Sequence, residues 1–259
     1  MNLRDVNLKF GKLLLGLLFI VVTAFVTQKK KFTVWMIGDS TMAIKDAKAF
    51  PETGWGMEFV KQFNSSVSVE NKAMNGRSTK SFINEGRWKQ VVGNIQEGDY
   101  LFIEFGHNDE KVDKPAVGTS ITEFKANLTR FVLESRAKGG IPVLLTPITR
   151  RTFKGGILTD THGNYPDAIA FIADSLKVPF IDMLARSKKV VSDLGDEASK
   201  KLYNYVEVGN VNYPQGKKDD THFSPDGAKK MAELAVEGIK ELKLELAKRL
   251  INNLKGDRK

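Results

Sequence analysis

A rhythm limits the fold of this chain more than any other feature: short apolar runs stop at Gly or Pro, and stretches with helical spacing separate them. Residues 32–37 (Phe-Thr-Val-Trp-Met-Ile) stop at Gly38, residues 99–105 at Gly106, and residues 141–146 at Pro147. Residues 67–73 and 179–182 are weaker runs of the same kind. Runs of this length, rich in β-branched and aromatic residues, are read as buried strands of a parallel sheet. Between them, residues 55–63 place Trp55, Phe59 and Phe63 four apart. Residues 120–138 put Ile121, Phe124, Leu128, Phe131 and Val132 on one face, and residues 166–177 repeat the pattern. Residues 225–254 are expected to form a long last helix, with Ser224 as its N-cap and Pro225 in its first turn. The alternation predicts an α/β fold built on a doubly wound parallel sheet. In such sheets the site lies beyond the carboxyl ends of the strands. The irregular stretches 147–164 and 203–221 are expected to be loops over it.

The composition is that of a globular protein, with 41% hydrophobic and 27% charged residues, and this excludes disorder and a polytopic membrane protein. The chain has no cysteine, which excludes a disulfide scaffold, thiolate metal sites, a Cys nucleophile and a lipidated Cys anchor. The net charge of +9 sits at the two ends: about +5 in residues 1–31 and about +4 in residues 240–259. The body between is nearly neutral, so nucleic acid is not expected as a partner. Residues 13–26 are an uncharged apolar run behind Arg4, Lys9 and Lys12. Residues 1–31 therefore read as a signal peptide, or as a signal anchor if uncleaved, ahead of one domain over 32–259. Export to the periplasm or beyond follows, with membrane attachment only in the uncleaved case. The run is shorter than a spanning helix requires.

Four polar clusters fall where a parallel sheet puts its functional loops. Gly38-Asp39-Ser40-Thr41 follows the first strand, Asn75-Gly76-Arg77-Ser78 the second, and Gly106-His107-Asn108-Asp109 the third. Asp219-Asp220-Thr221-His222 precedes the last helix. A serine at a sharp turn is a weak nucleophile until a base takes its proton. His222 is the candidate base, and Asp219 is near enough in sequence to hold its far ring nitrogen. Acyl transfer also needs donors for an oxyanion, and the Ser40 N–H, the Gly76 N–H and the Asn108 amide are candidates. Met42 stands where a G-x-S-x-G elbow would have its last Gly, which disfavours an α/β-hydrolase. Singly, each cluster is an ordinary turn or cap. Together, and in this order, they are uncommon.

Gly38-Asp39-Ser40, Gly76, Gly106-x-Asn108-Asp109 and Asp219-x-x-His222 resemble the four blocks of the SGNH, or GDSL-type, esterases. The resemblance covers about residues 32–245. It implies a three-layer, flavodoxin-like fold with a five-stranded parallel sheet flanked by helices. It also implies Ser40 as nucleophile, His222 as base, Asp219 as its orienting partner, and an oxyanion hole of Ser40, Gly76 and Asn108. Thr41 departs from the eponymous Gly-Asp-Ser-Leu. Gly-Asp-Ser-Thr-Met, Phe-Gly-His-Asn-Asp and Asp-Asp-Thr-His-Phe-Ser are similar to the rhamnogalacturonan acetylesterase branch, which implies an acetylated polysaccharide as substrate. A lipid esterase or thioesterase of the same family remains open, as does a non-catalytic carbohydrate-binding module.

Among the other residues, His107, His162, Arg150 and Arg151 are candidate substrate contacts. A guanidinium at Arg150 or Arg151 suits a uronate carboxylate. Trp55 and Tyr165 are assigned to the core rather than to sugar stacking. No metal is expected, because His107, Asp109, His162 and His222 lack metal-ligand spacing. No cofactor is expected either: the chain has neither a P-loop nor G-x-G-x-x-G.

Overall fold

The computed structural model describes residues 31–251. The proposed N-terminal leader and the last residues of the expected C-terminal helix lie outside them. Five parallel strands form the central sheet in the order β2-β1-β3-β4-β7. They are β1 (Phe32–Gly38), β2 (Val67–Asn71), β3 (Tyr100–Glu104), β4 (Ile141–Leu145) and β7 (Phe180–Ile181). A small antiparallel hairpin, β5 (Phe153–Lys154) and β6 (Ile157–Leu158), projects from the loop after β4.

Period-two alternation sends side chains to two separate cores. Val34, Met36, Tyr100, Phe102, Val143 and Leu145 point into one. Ile37, Leu101, Ile103 and Leu144 point into the other. The first core is covered by helices α1 (Trp55–Phe59), α6 (Met183–Ser199) and α7 (Pro225–Glu241). The second is covered by α2 (Thr79–Asn84), α3 (Arg87–Val92), α4 (Ile121–Ala137) and α5 (Tyr165–Ser175). The sheet is thus doubly wound, as the alternation predicts, and each strand run lies within two residues of its expected position. Trp55 and Tyr165 are buried in these cores.

Two elements differ from expectation. The terminal helix stops at Glu241 instead of running on to 254. Lys243 takes a left-handed φ of 52°, and the chain doubles back into a 3-10 turn over Glu245–Arg249. Burial of Leu246 in the first core and the bridge between Leu250 and Phe63 hold that reversal. Helix α6 was not expected from the sequence. Its buried face is Met183, Ser187 and Val191, with a polar residue at the centre. The Ser187 hydroxyl accepts from the Thr149 N–H and donates to the Met183 carbonyl. Among the described residues, no helix is long and apolar enough to cross a membrane.

Candidate active site

The carboxyl ends of β1, β2 and β3 carry the first three polar clusters, as the topology requires. Gly38 closes β1 against β3 so tightly that a Cβ there would sit 2.6 Å from the Glu104 carbonyl oxygen. The chain then turns, and Asp39 is completely buried beneath Ser40. Asp39 Oδ1 accepts the Thr41 N–H (3.0 Å) and the Thr41 hydroxyl (2.9 Å). The same hydroxyl lies 3.1 Å from Glu104 Oε1. Here the threonine that replaces the family's leucine joins two buried carboxyls, which leucine has no group to do. Burial pushes the Asp39 carboxyl up, against the pull of the Thr41 bonds. Burial, aided by the Asp39 charge, pushes Glu104 up to about 8.

Ser40 lies half-buried above this pair. Its Oγ is 2.8 Å from His222 Nε2, and His222 Nδ1 is 2.9 Å from Asp219 Oδ2. Asp219 Oδ1 accepts the N–H groups of Thr221 (2.9 Å) and His222 (3.0 Å). Burial alone would raise the Asp219 carboxyl. The His222 ring, both backbone bonds and the His222 charge outweigh it and hold the group well below the usual carboxylate range. The His222 loop is clamped on both sides: Asn204 N–H donates to the His222 carbonyl, and Thr53 N–H to the Phe223 carbonyl. Ser224 then caps α7 by accepting the Gly227 N–H.

Three donors on the loops after β1, β2 and β3 have hydrogens to spare. Among the described residues, the backbone N–H groups of Ser40 and Gly76 donate to nothing. The Asn108 amide uses one hydrogen on the Arg77 carbonyl (3.0 Å), so its second remains available. Gly76 has a φ of 75°, a left-handed turn that favours glycine, and the space beyond its Cα is open.

Several residues outside the candidate catalytic set hold these loops together. Lys111 Nζ donates to Asn108 Oδ1 (2.7 Å) and so fixes which way the amide points. Asp109 accepts the Thr79 N–H (3.0 Å) and the Thr79 hydroxyl (2.5 Å), tying the third cluster to the second. Burial pushes Asp109 up to about 7. Lys45, almost fully buried, links Glu52 (2.7 Å) to Asn75 (2.9 Å).

The expected substrate contacts are placed differently. Arg151 is 5% exposed, and every N–H of its guanidinium is engaged, on Asp196, Asp220 and Tyr205. It pins the loop after β4 to α6 and to the His222 loop. Arg150 pairs with Glu110 and reaches the Thr161 hydroxyl (3.1 Å) and the His107 carbonyl (3.3 Å). His162 is buried, with Nδ1 on Glu110 (2.9 Å) and Nε2 on the Ile148 carbonyl (3.0 Å). His107 is buried edge-on against the His162 ring, and neither of its nitrogens has a partner. Burial, and then the charges of His162, Arg150 and neighbouring cations, hold it well below the ordinary histidine value, so it is neutral. Arg150, Arg151 and His162 thus tie loops together, and Glu110, unmarked in the sequence, joins the first and the last of them. The histidines do not converge with Asp109 on a metal site. Among the described residues, the one trio of close carboxylate and imidazole atoms is Glu52, Asp219 and His222, and all three already have partners.

The arrangement can activate a hydroxyl and stabilise an oxyanion beside it, and comparison with known proteins agrees. The chain is 41% identical over 226 residues to the rhamnogalacturonan acetylesterase RhgT of Bacillus subtilis (strain 168), covering 86% of this chain and 96% of that protein. It is 32% identical to the probable rhamnogalacturonan acetylesterase YesY of the same organism, covering 84% and 97%. Among solved structures, the Bacillus subtilis protein YxiM superposes with a TM-score of 0.71 at 26% identity, over 83% of this chain and 58% of that one. An acetylxylan esterase of Geobacillus stearothermophilus shares the fold with a TM-score of 0.59 at 20% identity, covering 85% of this chain and 98% of that one. Residues 36–230 match the GDSL-like Lipase/Acylhydrolase family, and this chain belongs to it.

Proposed function

We propose that this protein is an exported serine esterase that removes O-acetyl groups from rhamnogalacturonan through an acetyl-enzyme. The observation that carries the chemistry is the unbroken line from Ser40 Oγ to His222 Nε2 and from His222 Nδ1 to Asp219, at 2.8 and 2.9 Å. The relatives named as rhamnogalacturonan acetylesterases support the substrate.

In this mechanism His222 takes the Ser40 proton as Oγ attacks the acetyl carbonyl. Asp219, held ionised, fixes the ring tautomer and stabilises the imidazolium. The carbonyl oxygen becomes an oxyanion and accepts hydrogen bonds from the Ser40 N–H, the Gly76 N–H and the unused Asn108 hydrogen. Collapse breaks the bond to the sugar oxygen, which leaves with the proton from His222. Water enters by the same route: His222 takes its proton, the acetyl-enzyme is cleaved, and acetate departs as Ser40 is reprotonated. No step calls on a metal or a cofactor.

The test is acetate release from acetylated rhamnogalacturonan, beside acetylated xylan and a long-chain ester, with wild type and Ser40→Ala. Release selective for the pectic polymer and lost in the variant is expected. Preference for xylan or lipid would overturn the substrate. Equal release by wild type and Ser40→Ala would remove Ser40 as nucleophile.

A further inference from the structure

The crossover from β2 to β3 is made of two short helices, α2 and α3. Their buried residues, Phe82, Trp88 and Val91, pack with Leu101, Ile103 and Phe105 in the second core. Edge strand β2 gains little from them, and none of its residues is fully buried. A groove of about 590 Å³ lies there. Its floor is Trp35 with its register neighbour Glu70 and with Lys72. Its wall is Arg87, Gln90 and Asn94, on one side of α3 and the turn after it.

The lining has a chemical character of its own. The Trp35 indole is half-buried and fixed, because its Nε1 donates to Asp99 (3.1 Å). Lys72 Nζ stands 5.9 Å from the centre of that ring. Arg87 uses its Nε on Glu85 (2.6 Å), but its two Nη groups have no partner among the described residues. The Gln90 amide is exposed and similarly unpartnered among them. Lys72 is already paired with Glu70 (2.8 Å), so Arg87 is the cation with donors to spare. A fixed aromatic face suits a pyranose ring, a guanidinium suits a carboxylate, and a neutral amide suits hydroxyls.

The groove also draws on the chain that follows β1 and β2. Its lining includes Ile44, four residues after Ser40, and Met74, two residues before Gly76. The segment that carries Ser40 and the segment that carries Gly76 therefore each contribute a residue to the groove.

We propose that this groove is a distal subsite for an acidic polysaccharide, with Arg87 as the group that recognises a uronate carboxylate. The proposal rests on the esterase reading above and adds where the polymer, rather than its acetyl group, is held. Arg87→Ala, with Gln90→Ala as a second variant, is assayed on acetylated rhamnogalacturonan and on an aryl acetate too small to fill the groove. The ratio of kcat/KM on polymer to that on aryl acetate is expected to fall about tenfold for Arg87→Ala, through KM, and less for Gln90→Ala. Reducing the uronate carboxylates of the polymer to alcohols should abolish the difference between wild type and Arg87→Ala. An unchanged ratio, or a difference that survives the reduction, overturns the proposal.

Binding without turnover separates this proposal from the esterase reading. Deacetylated rhamnogalacturonan is titrated into Ser40→Ala protein with and without Arg87→Ala. Weaker binding with the second substitution supports the groove even if wild type releases no acetate from the polymer. Equal binding overturns it.

Discussion

Removing the Glu104 charge should change how stability depends on pH. The Thr41 hydroxyl has one proton and two carboxyl neighbours, Asp39 Oδ1 at 2.9 Å and Glu104 Oε1 at 3.1 Å. If it donates to Asp39, Glu104 must offer its own proton to Thr41. That agrees with a Glu104 carboxyl pushed by burial from 4.5 up to about 8. Between those values the folded protein keeps a proton that the unfolded chain has lost. Folding stability therefore falls as pH rises through this window, and the penalty is absent below it. The slope contributed by one such group is at most about 1.4 kcal/mol per pH unit, and the whole window amounts to at most about 5 kcal/mol. Glu104→Gln removes the titration while keeping the shape. Its amide nitrogen can donate to Thr41, and its oxygen can accept the Trp55 Nε1–H, which lies 2.7 Å from Glu104 Oε2. Thermal unfolding of both proteins from pH 4.5 to 8.5 is the assay. At about 2–4 °C per kcal/mol for a domain of this size, Tm of the variant should gain about 10 °C on wild type across the range. Parallel profiles would show that Glu104 carries no extra proton, and the buried relay through Thr41 would be refuted.

Asn108→Ala removes one of the three unused donors and is expected to lower kcat by about 10²–10³-fold with little change in KM. Lys111→Met leaves that amide in place but unfixed. A loss in kcat of about tenfold, smaller than that of Asn108→Ala, is expected in the same assay. Asp219→Asn should cost about 10⁴-fold in kcat, as loss of the tautomer-fixing carboxylate does in a serine triad, while urea unfolding shows the fold retained. Arg151→Ala should destabilise by about 2–3 kcal/mol, because it leaves Asp196, Asp220 and Tyr205 without their common partner; urea unfolding measures this. If the same variant kept full stability and lost only KM for polymer, Arg151 would be a substrate contact after all.

The sheet was legible because β1, β3 and β4 alternate between two cores, so their apolar runs are continuous and bounded. Helix α6 is less plain, because Ser187 interrupts the stripe of Met183, Val190, Val191 and Leu194, and its hydrogen bonds do the work that an apolar side chain does elsewhere. The C-terminal helix was read too long for a related reason. Leu242, Leu246 and Leu250 continue the spacing of a helical stripe. Periodicity cannot distinguish one long helix from a helix that reverses and buries the next leucine of the same series. The reversal depends on Lys243 accepting a left-handed conformation, which no glycine announces.

The same limit applies to the site. The four clusters were visible because each follows a strand or precedes a helix within a few residues. The partners of Arg150, Arg151 and His162 were not, since Glu110, Asp196 and Asp220 lie 40 to 69 residues away from them. An arginine after a strand reads the same in sequence whether it faces a substrate or an internal acid. What separates the two is whether its donors are already used. By that criterion Arg151, with every N–H engaged, belongs to the scaffold, while Arg87, with two Nη groups unpartnered among the described residues, does not. The Ser40 and Gly76 N–H groups and the second Asn108 hydrogen meet the same criterion beside the serine. A donor left unused in so well-bonded a surround is available to a substrate in a way that a spent one is not, and this is what the donors near the nucleophile share with Arg87 in the groove beside β2.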